Sequence, residues 1–354
     1  MRFVEIWDYT AHIESFYLKN GVATSFKTKE PYKYKHAISS ECWLQGPIYP
    51  WIFDDGSYFI NLEEYDGVPP YDDSVDMVLY ANERVGLMDE YYEKYSVDSI
   101  RKQFPNAVIV GLIKEVAHNF NSGDASSDIP RRQVRPERPK NRIRFFNDCD
   151  HVLMPTIPNG NCSKIEYIKK LQSDINKEIT YIPGPVNTEY VFKNYFNGFK
   201  QNSIFAYLPL QHQRRGLTYQ FASYIGNKYN LPVYAKNLDG TQPFDYLSSH
   251  DFVNLWSPHN YHFNLDPLES QPGQQCKQVA SVGSINIGGV NDSHKFLYPE
   301  TATNDLEVLE DAFVSYHENE EKRLQVMQNA IDKINQLCGF EIIKGQFVDR
   351  FKND

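Results

Sequence analysis

The second half of the chain alternates apolar strand patterns with amphipathic helix patterns, and this alternation restricts the fold more than any other feature. Short apolar runs predict four strands, at residues 203–210, 231–236, 251–256 and 284–289. Helical periodicity predicts helices at 216–229 and 306–337, with apolar faces that carry Leu217, Phe221, Tyr224, Ile225, Leu324, Met327, Ile331 and Ile334. Because strands that are separated by helices pair in parallel, the pattern predicts a doubly wound α/β sheet.

The first half of the chain carries a second set of strand and helix patterns. Strands are predicted in 1–7, 74–83, 105–115, 151–155 and 178–192, and a helix in 89–104. The continuous apolar run Asn106–Ile113 is typical of a parallel strand that is buried on both faces. Residues 43–71 are rich in Pro, Gly and aromatic side chains, which indicates short strands and shaped loops. This segment fits either a wall of an acceptor site or a structural insertion.

A proline-rich stretch separates the two halves. Ile182, Pro183 and Pro185 end the last strand of the first half and indicate a hinge. We therefore expect an N-terminal domain at 1–185, a second domain at 186–340, and a C-terminal segment at 341–354 that crosses back to the first domain.

Length and composition exclude several classes of protein. A chain of 354 residues is long enough for two separate cores, and its 41% hydrophobic and 23% charged residues are typical of a globular protein. No apolar run is long enough to span a bilayer, and the N-terminus lacks a signal-peptide pattern, so we expect no membrane span and a cytoplasmic location. The five cysteines form no CxxC pair, which predicts neither a disulfide framework nor a zinc site. The net charge of -10 argues against a protein that coats nucleic acid.

Residues 261–304 have the order of a ligand-binding segment: a loop at Pro272–Gly273, a short helix with Cys276, a turn at Gly283, and a strand that ends at Gly288–Gly289. A helix that begins after a glycine presents unpaired backbone N–H groups and a positive dipole end, which suits phosphate. Glycines at the carboxyl end of a buried strand let the backbone approach a ligand closely. The alternative is that these glycines are ordinary turn residues.

Two further segments carry charge that a site could use. Glu115 and His118 follow the buried strand at 105–115, at the sheet edge where α/β enzymes bind ligands. Their alternative role is structural. Residues 131–144 are strongly basic within an acidic chain and fit either a polyanion contact or a solvated loop. The candidate contacts at the start of this run are Arg131, Arg132 and Arg135.

The chain resembles glycosyltransferases of the GT-B type, in particular retaining nucleotide-sugar enzymes, including phage enzymes that glucosylate DNA. The resemblance rests on CDHVLMPT followed by ITYIPGPVNTEYVF, on SIFAYLPLQHQRRG, and on PGQQCKQVASVGSINIGG, and covers roughly residues 75 to 354. It implies two Rossmann-like doubly wound α/β domains that face each other across a cleft, with a nucleoside diphosphate sugar bound mainly by the second. It also implies hexosyl transfer to a glycan, a small molecule or DNA.

The resemblance also implies which residues bind the donor. Arg214 and Arg215 would meet the diphosphate together with backbone N–H groups near Gly273 and Gln274. Gln278 would hydrogen-bond the ribose, and the close approach at Gly288 and Gly289 belongs to the same site. Candidates for the hydroxyls of the sugar are Asp266, Glu269, Asn291, Asp292, Ser293 and His294. Glu115 or His118 would face them as an acid or base, and we expect neither a metal ion nor a cofactor besides the donor substrate.

The chain departs from the family pattern at two glutamates and one arginine. Ser270 and Gln278 stand at the glutamate positions, Glu269 lies one residue away from the first of them, and the arginine expected near Leu210 is absent. Three alternatives therefore stay open: a DNA base glucosyltransferase, an inactive module that binds nucleotide or glycan, and a different two-domain α/β enzyme such as a sugar epimerase.

Overall fold

The fold is known from a computed structural model, which describes eleven segments of the chain. They are residues 1–7, 49–53, 56–65, 67–81, 89–113, 137–157, 166–195, 200–207, 215–235, 249–265 and 274–352. The strands in these segments form two parallel sheets, one of six strands and one of four. None of the helices in the same segments is long and apolar enough to cross a membrane.

The first sheet belongs to the N-terminal half and is buried on both faces. Its strand order is β2-β1-β3-β4-β5-β6, and all neighbours are parallel. The strands are β1 (Phe3–Trp7), β2 (Tyr58–Asn61), β3 (Met77–Ala81), β4 (Val108–Leu112), β5 (His151–Met154) and β6 (Ile179–Tyr181). Every residue of β3 is buried, which explains why these strands read as continuous apolar runs rather than as alternating ones.

Four helices lie on one face of the first sheet. They are α1 (Asp89–Lys94), α2 (Val97–Gln103), α3 (Glu137–Asp148) and α4 (Glu166–Asp174). The single helix predicted at 89–104 is wrong, because the Ser96 side chain caps a new helix by accepting from the N–H of Ser99. Helix α3 lies close against β4, where a Cβ at Gly111 would be 2.9 Å from Cys149 Sγ. Glycine at this position therefore permits the close packing.

The C-terminal helix α12 (Phe340–Phe351) packs on the other face of the first sheet. Its side chains Ile343, Phe347 and Phe351 share a core with residues of β1. The Phe347 ring lies 5.8 Å from that of Phe3 in an edge-on arrangement. The last segment of the chain therefore covers the sheet with which the chain begins.

The second sheet has the order β10-β9-β7-β8, again with parallel neighbours. Its strands are β7 (Gln201–Ala206), β8 (Val233–Ala235), β9 (His259–Phe263) and β10 (Ile285–Ile287). The helices of this half are α5 (Thr188–Tyr195), α6 (Arg215–Tyr229), α7 (Ser249–Trp256), α8 (Gln274–Ser281), α9 (Asp292–Leu297), α10 (Leu306–Glu318) and α11 (Glu320–Cys338).

One strand prediction is wrong and another is too long. Residues 251–256 lie in helix α7, where Val253 and Trp256 are buried and Asn254 between them is exposed, a spacing that suits a helix. The strand that pairs with β7 is instead β9, a few residues later. Of the strand predicted at 178–192, only Ile179–Tyr181 is extended, and Thr188–Tyr195 is helical.

The helix predictions of the second half hold with two corrections. Asn319 divides the region 306–337 into α10 and α11, because its side chain caps α11 by accepting from the N–H of Lys322. The predicted apolar faces include Tyr224 and Leu324, but these residues are 47% and 54% exposed. The Tyr224 hydroxyl instead donates to Glu310 at 3.3 Å on the surface.

The chain crosses between the two halves at two adjacent places. Ile182 belongs to the core of the first sheet, and Val186 belongs to the core of the second. The N–H of Val186 donates to the carbonyl oxygen of Cys338 at 2.9 Å, just before α12 returns to the first sheet. The linker at 182–186 and the entry to α12 are thus hydrogen-bonded to each other.

Candidate functional site

The candidate site lies at the carboxyl edge of the second sheet, where β9 and β10 end. Gly288 and Gly289 follow β10 with φ angles of +93° and +91°, a conformation that side chains other than glycine rarely adopt. A Cβ at Gly288 would lie 2.8 Å from the carbonyl oxygen of Asn264, and one at Gly289 would lie 2.7 Å from His294 Nε2. We call Gly288–Asn291 the glycine loop. Both of its glycines are required by backbone conformation and by space.

Hydrogen bonds hold the glycine loop in place. The N–H of Gly288 donates to the carbonyl oxygen of Thr301 at 3.1 Å, and the N–H of Gly289 donates to Asn304 Oδ1 at 3.2 Å. The Thr301 hydroxyl in turn donates to the carbonyl oxygen of Asn286 at 2.6 Å. Because both glycine N–H groups have protein acceptors, these residues shape the site by their small size rather than by offering N–H groups to a ligand.

Helices α6 and α8 begin at the same edge of the sheet. Gln274 is the first residue of α8, and the N-terminal end of a helix favours anions. Arg215 is the first residue of α6, and three residues later the Thr218 hydroxyl accepts from the N–H of Leu265 at 3.3 Å. The first turn of α6 therefore lies beside the end of β9.

Three buried side-chain amides connect the end of β9, the first turn of α8 and the glycine loop. Asn264 Nδ2 donates to Gln275 Oε1 at 3.0 Å, and Gln275 Nε2 donates to Asn286 Oδ1 at 3.4 Å. Asn286 Nδ2 donates to the carbonyl oxygen of Gly288 at 2.8 Å. We call this series the amide relay. Sequence reasoning missed it, although Asn264 and Asn286 stand out as polar residues beside or within apolar strands.

The structure buries the polar residues at the start of α9. Asn291 caps this helix, accepting from the N–H of His294 at 3.1 Å. Asp292, Ser293 and His294 are all buried. Of the residues predicted for the hydroxyls of a sugar, these four lie together at the glycine loop, with their side chains inside the second domain.

Gln278 lies one turn beyond the start of α8 and is fully buried. Its neighbour Lys277 is also fully buried, and Lys277 Nζ donates to the carbonyl oxygen of Gly184 in the interdomain linker at 3.3 Å. Helix α8 is thus joined to the sheet edge at its start and to the linker half a turn later.

Several predicted site residues lie outside the described residues, so the structure gives their roles no geometry. They are Glu115, His118, Arg131, Arg132, Arg135, Arg214, Asp266, Glu269 and Gly273. The structure describes the end of the basic segment 131–144, and there fewer arginines are available to a partner than the sequence predicts. Arg142 is 6% exposed, and the guanidinium of Arg144 lies 4.1 Å from the centre of the Tyr92 ring and 3.9 Å from Asp148.

A group of basic residues lies at the opposite, amino edge of the second sheet. Ser203 Oγ and His259 Nδ1 are 2.8 Å apart, and Lys200 Nζ donates to the carbonyl oxygen of Ser257 at 2.6 Å. Burial lowers the pKa of Lys200 to about 7. Burial, with a contribution from the charge of Lys200, lowers the pKa of His259 to about 4. These groups lie at the starts of β7 and β9, at the end of the sheet opposite to the candidate site.

No family model and no curated protein matches the sequence. Among solved structures, the chain is similar to an α-glucosyltransferase in complex with UDP and a 13-mer DNA that contains an HMU base, with a TM-score of 0.56, 12% identity, and coverage of 99% of this chain and 98% of that one. An α-glucosyltransferase with UDP-glucose and DNA that contains an abasic site gives a TM-score of 0.55 at 11% identity, with the same coverage.

TarM is similar with a TM-score of 0.50 at 12% identity, over 77% of this chain and 54% of TarM, so that the chain spans about half the length of TarM. These similarities show the fold. The chain is an α/β protein with two parallel sheets arranged as in GT-B glycosyltransferases, which confirms the fold predicted from the sequence.

Proposed function

We propose that this chain, which has the GT-B fold, transfers a sugar from a nucleoside diphosphate sugar to an acceptor. The observation that carries the proposal is the arrangement at the carboxyl edge of the second sheet. There the positive-φ pair Gly288–Gly289 and the first turn of α8 are joined by hydrogen bonds. Open α/β sheets bind ligands at this edge, and a helix N-terminus favours the negative charge of a diphosphate.

The chemistry places demands on the donor site. When the bond between sugar and diphosphate breaks, negative charge develops on the leaving group and requires fixed positive partners. We assign this role to Arg214 and Arg215, whose guanidinium groups keep their charge and donate in pairs to phosphate oxygens. The backbone N–H groups at the start of α8, next to Gly273 and Gln274, add the helix dipole.

The remaining residues are assigned by position. Asp266 and Glu269 follow β9 in the sequence and are proposed for the hydroxyls of the sugar. Ser293, at the start of α9, and Gln278, in α8, are fully buried, so we propose that they support the sugar and ribose sites from inside the fold. Glu115 and His118 come after β4 in the sequence, and we propose them as acid or base. Unchanged turnover in a His118→Ala variant would refute the proposed acid or base role of His118. We further propose that no metal ion takes part, so that EDTA leaves the rate unchanged.

A thermal-shift panel tests the proposal. The purified protein is heated with UDP, GDP, ADP, CMP and dTDP and with their common sugars. A ligand at a hundred times its Kd stabilises the fold by about 2.7 kcal/mol, which is readily measured. We expect a shift with one nucleotide that is lost in an Arg214→Ala, Arg215→Ala variant. Silence across the panel contradicts the proposal, and binding without sugar transfer supports the inactive module instead.

DNA is the acceptor that one observation favours. The α-glucosyltransferase structures that contain DNA are similar to this chain over 98% or more of both lengths, whereas TarM is similar over 54% of its length. The net charge of -10 stands against a broad DNA contact, so the basic start of the run at 131–144 would have to supply it.

Salt dependence separates this acceptor from the others. We expect UDP-glucose and a 13-mer duplex with an HMU base to give a glucosylated product, with DNA binding that weakens as salt increases. A variant with Ala at Arg131, Arg132 and Arg135 should bind more weakly and show a smaller salt slope. The control replaces Lys169 and Lys170, which are exposed on α4, with Ala. Equal effects of the two variants would contradict specific contact by the arginines.

A further inference from the structure

The amide relay has a direction that the structure fixes. A backbone carbonyl oxygen only accepts hydrogen bonds, so Asn286 must present Nδ2 to Gly288 and its Oδ1 to Gln275. Gln275 must then present Nε2 to Asn286 and its Oε1 to Asn264. Each amide orientation follows from the one before it, starting at the glycine loop.

The relay is buried along its whole length. Asn264, Gln275 and Asn286 are 3%, 7% and 0% exposed. Buried polar groups are costly unless they are hydrogen-bonded, so each amide holds its neighbour in one orientation. At the far end, Asn264 Oδ1 is buried and has no donor within hydrogen-bond distance in the described part of the chain. The direction of the relay is therefore set from the Gly288 end alone.

We propose that Asn264, Gln275 and Asn286 are positioning residues that fix the first turn of α8 against the glycine loop and thereby set the affinity for a nucleoside diphosphate. The part of this inference that concerns nucleoside diphosphate affinity rests on the proposed function. The carboxyl ends of two strands and the start of one helix meet at the relay, and it touches both elements that would frame the diphosphate.

The inference predicts an unusual sensitivity to the exchange of an amide for a carboxylate. In a Gln275→Glu variant, residue 275 still accepts from Asn264 but has no donor for Asn286. Asn286 then turns its Nδ2 to the carboxylate and its Oδ1 towards the carbonyl oxygen of Gly288, where the two oxygens repel. A change at the helix is thus transmitted to the glycine loop.

The experiment measures amide hydrogen exchange and UDP affinity on the same full-length variants. For Gln275→Glu we expect faster exchange in residues 274–278 and 286–290, unchanged exchange in α12, and a UDP Kd raised by about tenfold or more. Gln275→Met removes the hydrogen bonds of residue 275 with Asn264 and Asn286 without adding charge. It replaces the glutamate variant in both measurements if that variant does not fold. Asn254→Asp makes the same charge change at an exposed position on α7 and should leave both measurements unchanged.

The outcomes separate two claims: that the amide relay positions α8 against the glycine loop, and that this positioning sets the UDP affinity. Unchanged exchange at 286–290 in both Gln275 variants overturns the first claim, whether or not the protein binds UDP. Faster exchange with unchanged UDP affinity overturns the second claim, that the relay sets the affinity for a nucleoside diphosphate. If the wild-type chain does not bind UDP, the second claim fails with the proposed function, and the exchange rates alone decide whether the relay positions α8.

Discussion

Lys277 Nζ donates to the carbonyl oxygen of Gly184 at 3.3 Å, and this hydrogen bond joins the helix of the candidate donor site to the linker between the two sheets. Lys277 is fully buried, and Val186, two residues after Gly184, is hydrogen-bonded to Cys338 at the second crossing of the chain. Helix α8, the linker at 182–186 and the end of α11 are therefore hydrogen-bonded and packed together.

Replacing Lys277 with Met keeps most of the apolar stem and removes the donor to Gly184. Leaving a buried acceptor without its donor costs roughly 1–3 kcal/mol, so we expect a loss of that size in the free energy of unfolding. Lys193 is exposed on α5, and Lys193→Met should change stability by less than about 0.5 kcal/mol. Urea denaturation measures both, and equal stabilities of the two variants would show that the Lys277 contact contributes nothing.

Gly289→Ala tests the shape of the glycine loop. The positive φ costs an alanine about 1–2 kcal/mol, and the new methyl group must displace the His294 ring, so we expect a lower melting temperature and weaker UDP binding. Gly345 in α12 has open space around it, and there the same substitution should stabilise the helix by up to about 1 kcal/mol. A Gly289→Ala protein that is as stable as Gly345→Ala would contradict the close approach seen at the loop.

The stability of the fold should depend on pH through His259. Its pKa is about 4 in the folded protein, against an ordinary value near 6.5, so the unfolded chain binds more protons between these values. The contribution of neutral His259 to the free energy of unfolding is therefore complete above pH 6.5 and is lost as the pH falls towards 4. Lys200, with a pKa of about 7, acts in the same direction between pH 10.5 and 7.

Urea denaturation at pH 7.5, 6.0 and 5.0 measures this dependence. We expect the free energy of unfolding to decrease with each step, and we expect His259→Gln to have a smaller slope than the wild type. An identical slope in the variant would assign the acid sensitivity to other groups.

The C-terminal helix should contribute strongly to the stability of the first sheet. Phe347 is fully buried and its ring contacts those of Phe3, Tyr49 and Phe53. Phe347→Ala should cost about 3–5 kcal/mol through lost burial and the cavity that remains. Ile342 on the same helix is 42% exposed, and Ile342→Ala is the control, with a much smaller expected loss. Similar losses in the two variants would contradict the packing of α12 described above.

Much of the fold could be predicted from the sequence because buried parallel strands leave a strong local signal. Strands β3 and β4 are continuous apolar runs and β7 ends in one, and the predicted bounds of all three lie within a few residues of the observed ones. The strand prediction at 251–256 is wrong because four of these six residues are apolar, in two pairs three residues apart, and this spacing suits a short helix as well as a strand. Cap residues decide two more boundaries, at Ser96 and Asn319, where one side-chain hydrogen bond begins a new helix in a region that periodicity alone would make continuous.

The candidate site was predictable only in part. The order of helix, turn, strand and glycine pair in 274–289 follows from local pattern, and the structure has this order. The amide relay does not follow from local pattern, because Asn264, Gln275 and Asn286 meet only when two strands and a helix pack together. Burial of Arg142 was missed for the same reason, since charge counting along a segment does not reveal which face of a helix meets the sheet.

A hydrogen-exchange footprint of the wild-type protein with UDP-glucose tests the central claim most directly, because it reports both binding and its place. The account predicts slower exchange in residues 274–278 at the start of α8 and in 286–291, which comprise the end of β10 and the glycine loop. It predicts little change at the amino edge of the second sheet around Ser203 and His259. Protection elsewhere with no change in these two segments, or no protection at saturating UDP-glucose, would contradict a nucleotide-sugar site at this edge.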